Sequence, residues 1–408
     1  MSIRLSTVLY RLVTASILAR LLLSNWLLDG WYPYSADGGQ PYHKLHPGSI
    51  LALIGVVLLV LVKGGPFLLR DLWRTQRTTV AYIVAVVFVS LVSTLAHGVS
   101  GSAYLVDTFL AAGCYPILLA HISSEQARRV GLVVFATVGL NAIVAIAEYA
   151  FGSHVLPQPY SFGFFRASAL MGHPLANALV AATCVFASMA MPWRPLVKFP
   201  YIALLVASLF AFGARGALLV TTIGLLVATL ALPHVTTFGR KNRIILMPLS
   251  VVGVAFIATA ILGVIFGSEL GYTIASRMSA DDSTGARLAS VEVLSWFSAS
   301  ELLLGVDTGN LTYLLEQAGV PIVENFWVGM LLRLGAPLLL VLCASNAFLL
   351  VRYARRAQFF VPLTLVGFLA VASTNNSLAT KSCALVVLVV LLSILRLPAN
   401  QFGAVETP

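Results

Sequence analysis

The sequence predicts an all-α, polytopic membrane protein of about twelve transmembrane helices, and three observations carry that reading. Its 408 residues are 59% hydrophobic and only 10% charged, with a mean hydropathy of +0.94, which is more apolar surface than one aqueous core buries. Apolar stretches near the ~20 residues that cross ~30 Å of hydrocarbon recur from end to end, with short polar breaks between them. Lysine and arginine then gather in alternate loops, as cytoplasmic loops require. No soluble domain is left over, so residues 1–408 read as one membrane domain.

The spans follow from apolar runs set against charged or Pro/Gly breaks. The first, at about residues 8–28, holds Arg11 and Arg20 with Arg4 ahead of it, and no small-residue cleavage site follows a compact apolar core. It is therefore expected to be retained as a helix. Spans two to six fall at about 49–66, 78–97, 102–121, 130–151 and 171–192. Spans seven to twelve fall at about 199–213, 215–233, 244–267, 323–351, 359–374 and 381–397.

Of the 25 lysines and arginines, 17 lie on the side of the N-terminus, among them Arg70, Arg74, Arg77, Arg128, Arg129, Arg240, Arg352 and Arg396. The opposite side holds 6: Lys44, Arg166, Arg215, Arg277, Arg287 and Lys381. Arg20 and Arg333 fall within spans. Both termini are thus expected in the cytoplasm of a bacterial inner membrane, and the net charge of +10 orients the chain and does not signal nucleic acid. Cys114, Cys184, Cys343 and Cys383 sit in apolar stretches without CxxC spacing or a nearby histidine pair, which argues against disulfides and zinc. Phosphate loops with GK[ST], HExxH and GxSxG are all absent, so nucleotide hydrolysis is unsupported.

One connection differs from the rest: residues 268–322, a long loop expected on the periplasmic side. Within it, 288–304 has apolar residues at helical spacing together with Glu292 and Glu301, and predicts short amphipathic helices over the membrane face. There is no convincing internal repeat, which argues against a transporter built from two similar halves.

A positive-inside protein keeps an arginine outside only against the topological grain, so Arg166, Arg215 and Arg287 are candidate functional residues. Guanidinium suits phosphate because its planar fork donates two parallel charge-assisted hydrogen bonds and does not deprotonate. The alternative is that each snorkels to a lipid headgroup or pairs locally, as Arg287 would with Asp281 or Asp282. Glu148 and Arg333, charges within spans, are expected to face protein or a water-filled cavity, with each other as the simplest partners.

In order along the chain, these segments resemble the O-antigen ligase/polymerase superfamily. Arg166 precedes Gly172-His173-Pro174; Ala214-Arg215-Gly216 opens a span; Arg287 is followed by Trp296 and Leu304-Gly305-Val306; Glu324-Asn325-Phe326 leads into a helix with Gly335. The resemblance covers about residues 130–350 and implies a multi-span glycosyltransferase fold of the GT-C-like class, by analogy. It implies an enzyme that joins polyprenyl-pyrophosphate-linked glycans on the outer face of the inner membrane. Arg166, Arg215 and Arg287 would hold the pyrophosphate, Glu324 or His173 would serve as the base, and Asn325 would support them, with no metal or other cofactor. Glutamate at 324, where ligases of the family carry histidine, points to a polysaccharide polymerase. A ligase to lipid A core and a secondary transporter are the alternatives. Implied partners are the lipid-linked oligosaccharide, membrane lipids, and flippase and chain-length regulator proteins.

Overall fold

In hydrocarbon every backbone N–H and C=O must be satisfied within its own segment, so apolar runs fold as helices. The computed structural model describes residues 3–35, 40–156, 165–235, 291–306, 311, 313, 315, 323, 325–354 and 359–396, and these contain helices and no strand. Five segments are long and apolar enough to cross a membrane: Arg4–Leu22, Gly65–Val99, Gly101–Leu119, Ser124–Phe151 and Phe326–Ala354. Shorter apolar helices of 10–17 residues stand at Pro47–Lys63, Pro174–Ala190, Pro195–Ala211, Arg215–Ala231, Phe360–Ala372 and Ala384–Leu395. Every predicted span except the ninth therefore coincides with an apolar helix, and the ninth, 244–267, lies outside the described residues.

The helices are α1 (Ile3–Leu22), α2 (Asn25–Asp29), α3 (Pro47–Lys63), α4 (Gly65–Tyr104), α5 (Ala111–Leu119), α6 (Ser124–Phe151) and α7 (Pro174–Ala190). They continue as α8 (Pro195–Ala211), α9 (Arg215–Val235), α10 (Ala299–Leu304), α11 (Phe326–Ala354), α12 (Phe360–Ala372) and α13 (Ala384–Leu395). The first helix stops short of the predicted boundary because Ser24 caps a separate turn, its hydroxyl accepting from Leu27 N–H at 3.1 Å. Two expected spans are covered by α4, a π-turn at Leu105–Leu110, and α5; α4 breaks at Gln76 and again at Gly98, where φ is +73°. Proline and glycine set several other boundaries: Pro47, Pro174 and Pro195 stand in first turns, where a missing N–H costs nothing.

One end of the bundle gathers the N-terminus of α1, the C-termini of α3 and α5, the start of α6 and the C-terminus of α11. Ser6 bonds Gln126 across that end at 2.7 Å, and Arg352 reaches Thr79 at 3.0 Å. The other end gathers the loop residues 23–35, 40–46, 152–156, 165–173, 212–214 and 373–383. At the centre of the bundle α13, apolar but for Ser393, is buried over residues 384–392 and at Ile394, packing against α5, α6 and α7. Close approach beside it depends on small residues: the Phe186 ring of α7 occupies the space a Cβ on Gly224 or Gly367 would need. On α4, by contrast, Val84, Phe88, Leu91 and Leu95 are exposed in a row spaced for the lipid-facing side of a helix.

Of the long loop 268–322, the described part begins at 291. It holds a 3-10 turn, Val293–Trp296, and α10, separated at Ser298. The break has a local cause: Ser298 and Glu301 form a capping box, so Glu301 serves the helix start. Val293, Phe297, Val306, Val328 and Leu332 make a small separate core that seats this segment on α11.

Candidate functional site

At the loop-rich end, α6 carries two polar residues in an apolar sequence, Asn141 and Glu148, about two turns apart and so on one face. They hold the loop that enters α7. The Glu148 carboxylate accepts from Ser168 N–H at 2.8 Å and Ala169 N–H at 2.9 Å through one oxygen, and from Val155 N–H at 2.7 Å through the other. Asn141 Oδ1 accepts from Leu170 N–H at 2.9 Å and Met171 N–H at 3.3 Å. Asn177 of α7 closes the arrangement, donating to Ser168 C=O at 2.5 Å while accepting from Asn141 Nδ2 at 3.4 Å. Four consecutive backbone N–H groups, 168 to 171, thus end on two side chains of one helix. The winding needs left-handed backbone at Ala169 (φ +44°) and Gly172 (φ +84°), and a side chain on Gly172 would collide with Ser24.

Arg166 leads into this clamp and is flanked by fixed neighbours. Phe165 stacks on His154 with centroids 4.5 Å apart, and Ala167 N–H donates to Ala211 C=O at 2.9 Å. His173 follows the clamp, in the loop just ahead of α7, with the Trp26 ring edge-on at 6.5 Å. Burial, and then the nearby Arg166 charge, push its imidazole down to about 4, so it is neutral at pH 7. Two predicted site residues, far apart in type, therefore share one loop and sense one another electrostatically.

Arg215 is the first residue of α9, directly after a tight turn in which Ala214 N–H returns to Leu209 C=O at 3.2 Å and Gly213 has φ +63°. Because Ala167 bonds Ala211 at the head of that turn, the Arg166 segment rests on the connection that launches Arg215. Gly216 lies against Thr374, where a Cβ would meet the threonine side chain at 2.7 Å. Asn325 caps α11: its Oδ1 accepts from Trp327 N–H at 2.9 Å. Phe326 N–H donates to Asn375 C=O at 3.2 Å, tying the start of α11 to the loop that also touches Gly216. Arg166, His173, Arg215 and Asn325 are thus all positioned at one end of the bundle. Arg287 and Glu324 lie outside the described residues.

The Leu304-Gly305-Val306 turn docks on a kink in α11. Pro337 has no N–H for Arg333 C=O, and Gly335, at φ +72°, breaks the helix there. The kink frees Leu332 C=O, which accepts from Val306 N–H at 2.6 Å. Both glycines are needed, since a Cβ on Gly305 would lie 2.9 Å from Arg333 C=O and one on Gly335 would strike Leu303 C=O.

The expected pairing of Glu148 with Arg333 is overturned. Glu148 is engaged by backbone N–H groups and lies 3.6 Å from His154, while Arg333 donates to Ala379 C=O at 3.0 Å and sits over the Tyr104 ring at 5.5 Å. Sequence reasoning also missed a second polar network beside the site. Buried Arg20 and Asp107 pair at 3.8 Å; Arg20 also donates to Ser382 C=O at 2.6 Å, and Asp107 accepts from Tyr34 O–H at 2.8 Å and His46 N–H at 3.0 Å. Lys381 donates to Lys44 C=O at 2.9 Å and lies 3.9 Å from the Tyr34 ring centre. Two opposite charges inside neighbouring apolar segments were the available signal.

The regular structure of the described residues is helical, with five helices long and apolar enough to cross a membrane, as in an all-α membrane protein. No protein-family model matches the chain, and no curated protein matches it.

Proposed function

We propose that the chain is a polysaccharide polymerase of the O-antigen ligase/polymerase kind. It is read as a protein of about twelve spans in the bacterial inner membrane, with both termini cytoplasmic and the candidate site periplasmic. The reaction moves a growing glycan from its polyprenyl pyrophosphate to a hydroxyl of the next lipid-linked repeat unit. The observation that supports this reading is the gathering of Arg166, His173, Arg215 and Asn325 at the end of the bundle that is poor in basic residues.

The acceptor hydroxyl oxygen bonds the sugar C1 as the bond from C1 to the pyrophosphate oxygen breaks. The departing group gains negative charge, and arginine forks stabilise it without needing a proton. Arg166 and Arg215 are assigned that task, with Arg287 as the third. Glu324 is assigned the hydroxyl proton, with His173 as the second candidate.

The test is reconstitution with purified polyprenyl-pyrophosphate-linked repeat units, read by glycan length, beside the glycan profile of a gene deletion. Lengthened chains in vitro and single repeat units in the deletion support polymerisation. Transfer of finished polymer to lipid A core with no lengthening would replace it by ligation, and transport activity with neither would reject both. Orientation is checked separately by labelling the exposed positions 42 and 74: Y42C is expected to react from the periplasm and R74C from the cytoplasm.

A further inference from the structure

The end of the bundle opposite the candidate site holds a cavity of about 840 Å³, lined by residues that include Lys63, Asp71, Thr75, Gln76, His121 and Arg352. A second cavity of about 330 Å³ shares Gln76 and Arg352 with it and adds Arg396. Joined through Gln76 and Arg352, the two present three cations and one carboxylate among the described residues. Asp71 is already 3.6 Å from Lys63, so the groove keeps a positive excess.

Arg352 is the centre of that excess. Its guanidinium meets neutral acceptors: Thr79 Oγ1 at 3.0 Å, Thr75 C=O at 3.4 Å and Gln76 Oε1 at 3.5 Å. Among the described residues no carboxylate lies within ion-pair distance of it. The neutral cradle is built into the backbone. At Gln76 the chain leaves helical geometry (φ −140°, ψ 38°), and the buried side chain donates to Pro116 C=O at 3.3 Å while its oxygen faces Arg352. With three of its five N–H donors on neutral groups, the guanidinium keeps its charge uncancelled by them and has the Nε–H and one Nη2–H left for an anion.

Leu61, Phe67, Leu69 and Trp73, within a few residues of Lys63 and Asp71 in the chain, are exposed on the same helices. Apolar side chains with a tryptophan and flanking charges mark the depth where acyl chains give way to headgroups. We propose that this groove is a phosphate-binding site, for a phosphate monoester or diester, with Arg352 as its bidentate donor and Lys63 and Arg396 as flanking cations. The exposed apolar side chains on the helices that carry Lys63 and Asp71 favour the headgroup of an anionic phospholipid from the adjoining leaflet as the source. That this leaflet is the cytoplasmic one rests on the orientation proposed above; binding itself does not.

The test uses the full chain in detergent, with lipid retention read by native mass spectrometry and thermal stability read in parallel. Probes are phosphatidylglycerol, phosphatidylcholine and inorganic phosphate, and the variants are R352Q and the double variant K63Q/R396Q. The double variant leaves the contacts of Arg352 to Thr79 and Gln76 intact, so it reports even if R352Q does not fold. Retention of phosphatidylglycerol over phosphatidylcholine, weakened about tenfold or more in the variants, supports the site with a lipid as its source. Saturable stabilisation by inorganic phosphate that the variants lose, with no preference between the lipids, supports the site with a soluble source. Equal retention of the two lipids with no phosphate effect overturns the proposal. So does a phosphatidylglycerol preference that both variants leave unchanged.

Discussion

Replacing Glu148 by alanine is expected to loosen the loop that carries Arg166 and His173 without touching either residue. The carboxylate accepts three backbone N–H groups, and two of the donors, Ser168 and Ala169, belong to fully buried residues. A buried donor left without an acceptor costs about 1–3 kcal/mol, so these two together cost about 2–6 kcal/mol. The least expensive escape is local opening of 165–173 to water, which lowers its opening free energy by that amount. Amide exchange at 168 and 169 should then accelerate between about thirtyfold and twenty-thousandfold, at 1.4 kcal/mol per decade. E148Q keeps one oxygen, enough for Ser168 and Ala169, and sets an amide group against Val155 N–H, so it should lose roughly one bond, about 1–3 kcal/mol. Exchange at residues 165–173, measured by mass spectrometry on detergent-solubilised protein, makes the comparison. His46, whose amide rests on Asp107, serves as an internal control. Unchanged exchange at 168 and 169 in E148A would refute the clamp.

Four further outcomes are expected. G335A places a side chain where φ is +72° and the Leu303 carbonyl stands in the way; backbone strain alone costs about 1–3 kcal/mol, and proteolysis near residue 305 should rise sharply. R20M leaves the buried Asp107 carboxylate without its cation and should cost about 3–5 kcal/mol, seen as a lowered melting temperature in detergent. Under the proposed function, R215K should fall about 10²–10³ in rate, almost as far as R215A, because lysine keeps the charge but loses the fork; near-normal glycan lengths from R215K would return the residue to headgroup snorkelling. His173 is held below its usual 6.5, at about 4, so the unfolded chain takes up its proton first as pH falls. Its share of stability is therefore full above about 6.5 and lost as pH drops towards 4, and H173Q should flatten the melting-temperature profile across that window.

The helical plan was legible because its cause is local: apolar length, basic loops and Pro/Gly breaks each act over a few residues. What stayed hidden was non-local or concerned backbone groups. Ser24 ends α1 early through one side-chain cap, and Gln76 breaks α4 in order to reach Pro116 and Arg352, contacts some 40 and 276 residues away in sequence. The charges within spans show the same limit most clearly. A sequence displays Glu148 and Arg333 as opposite charges and invites their pairing, but it does not display which N–H and C=O groups a distant loop will leave unsatisfied. In hydrocarbon such groups are as demanding as a counter-ion. Glu148 answers four-residue loop geometry at 168–171 together with Asn141, Arg333 answers Ala379, and Arg20 answers both Asp107 and Ser382. These charges within helices hold the loops at one end of the bundle in place, and Arg166 and Arg215 are presented by backbone fixed there. Arg166 and Arg215 sit on loops held in this way, and the proposed function puts their guanidinium chemistry to the test.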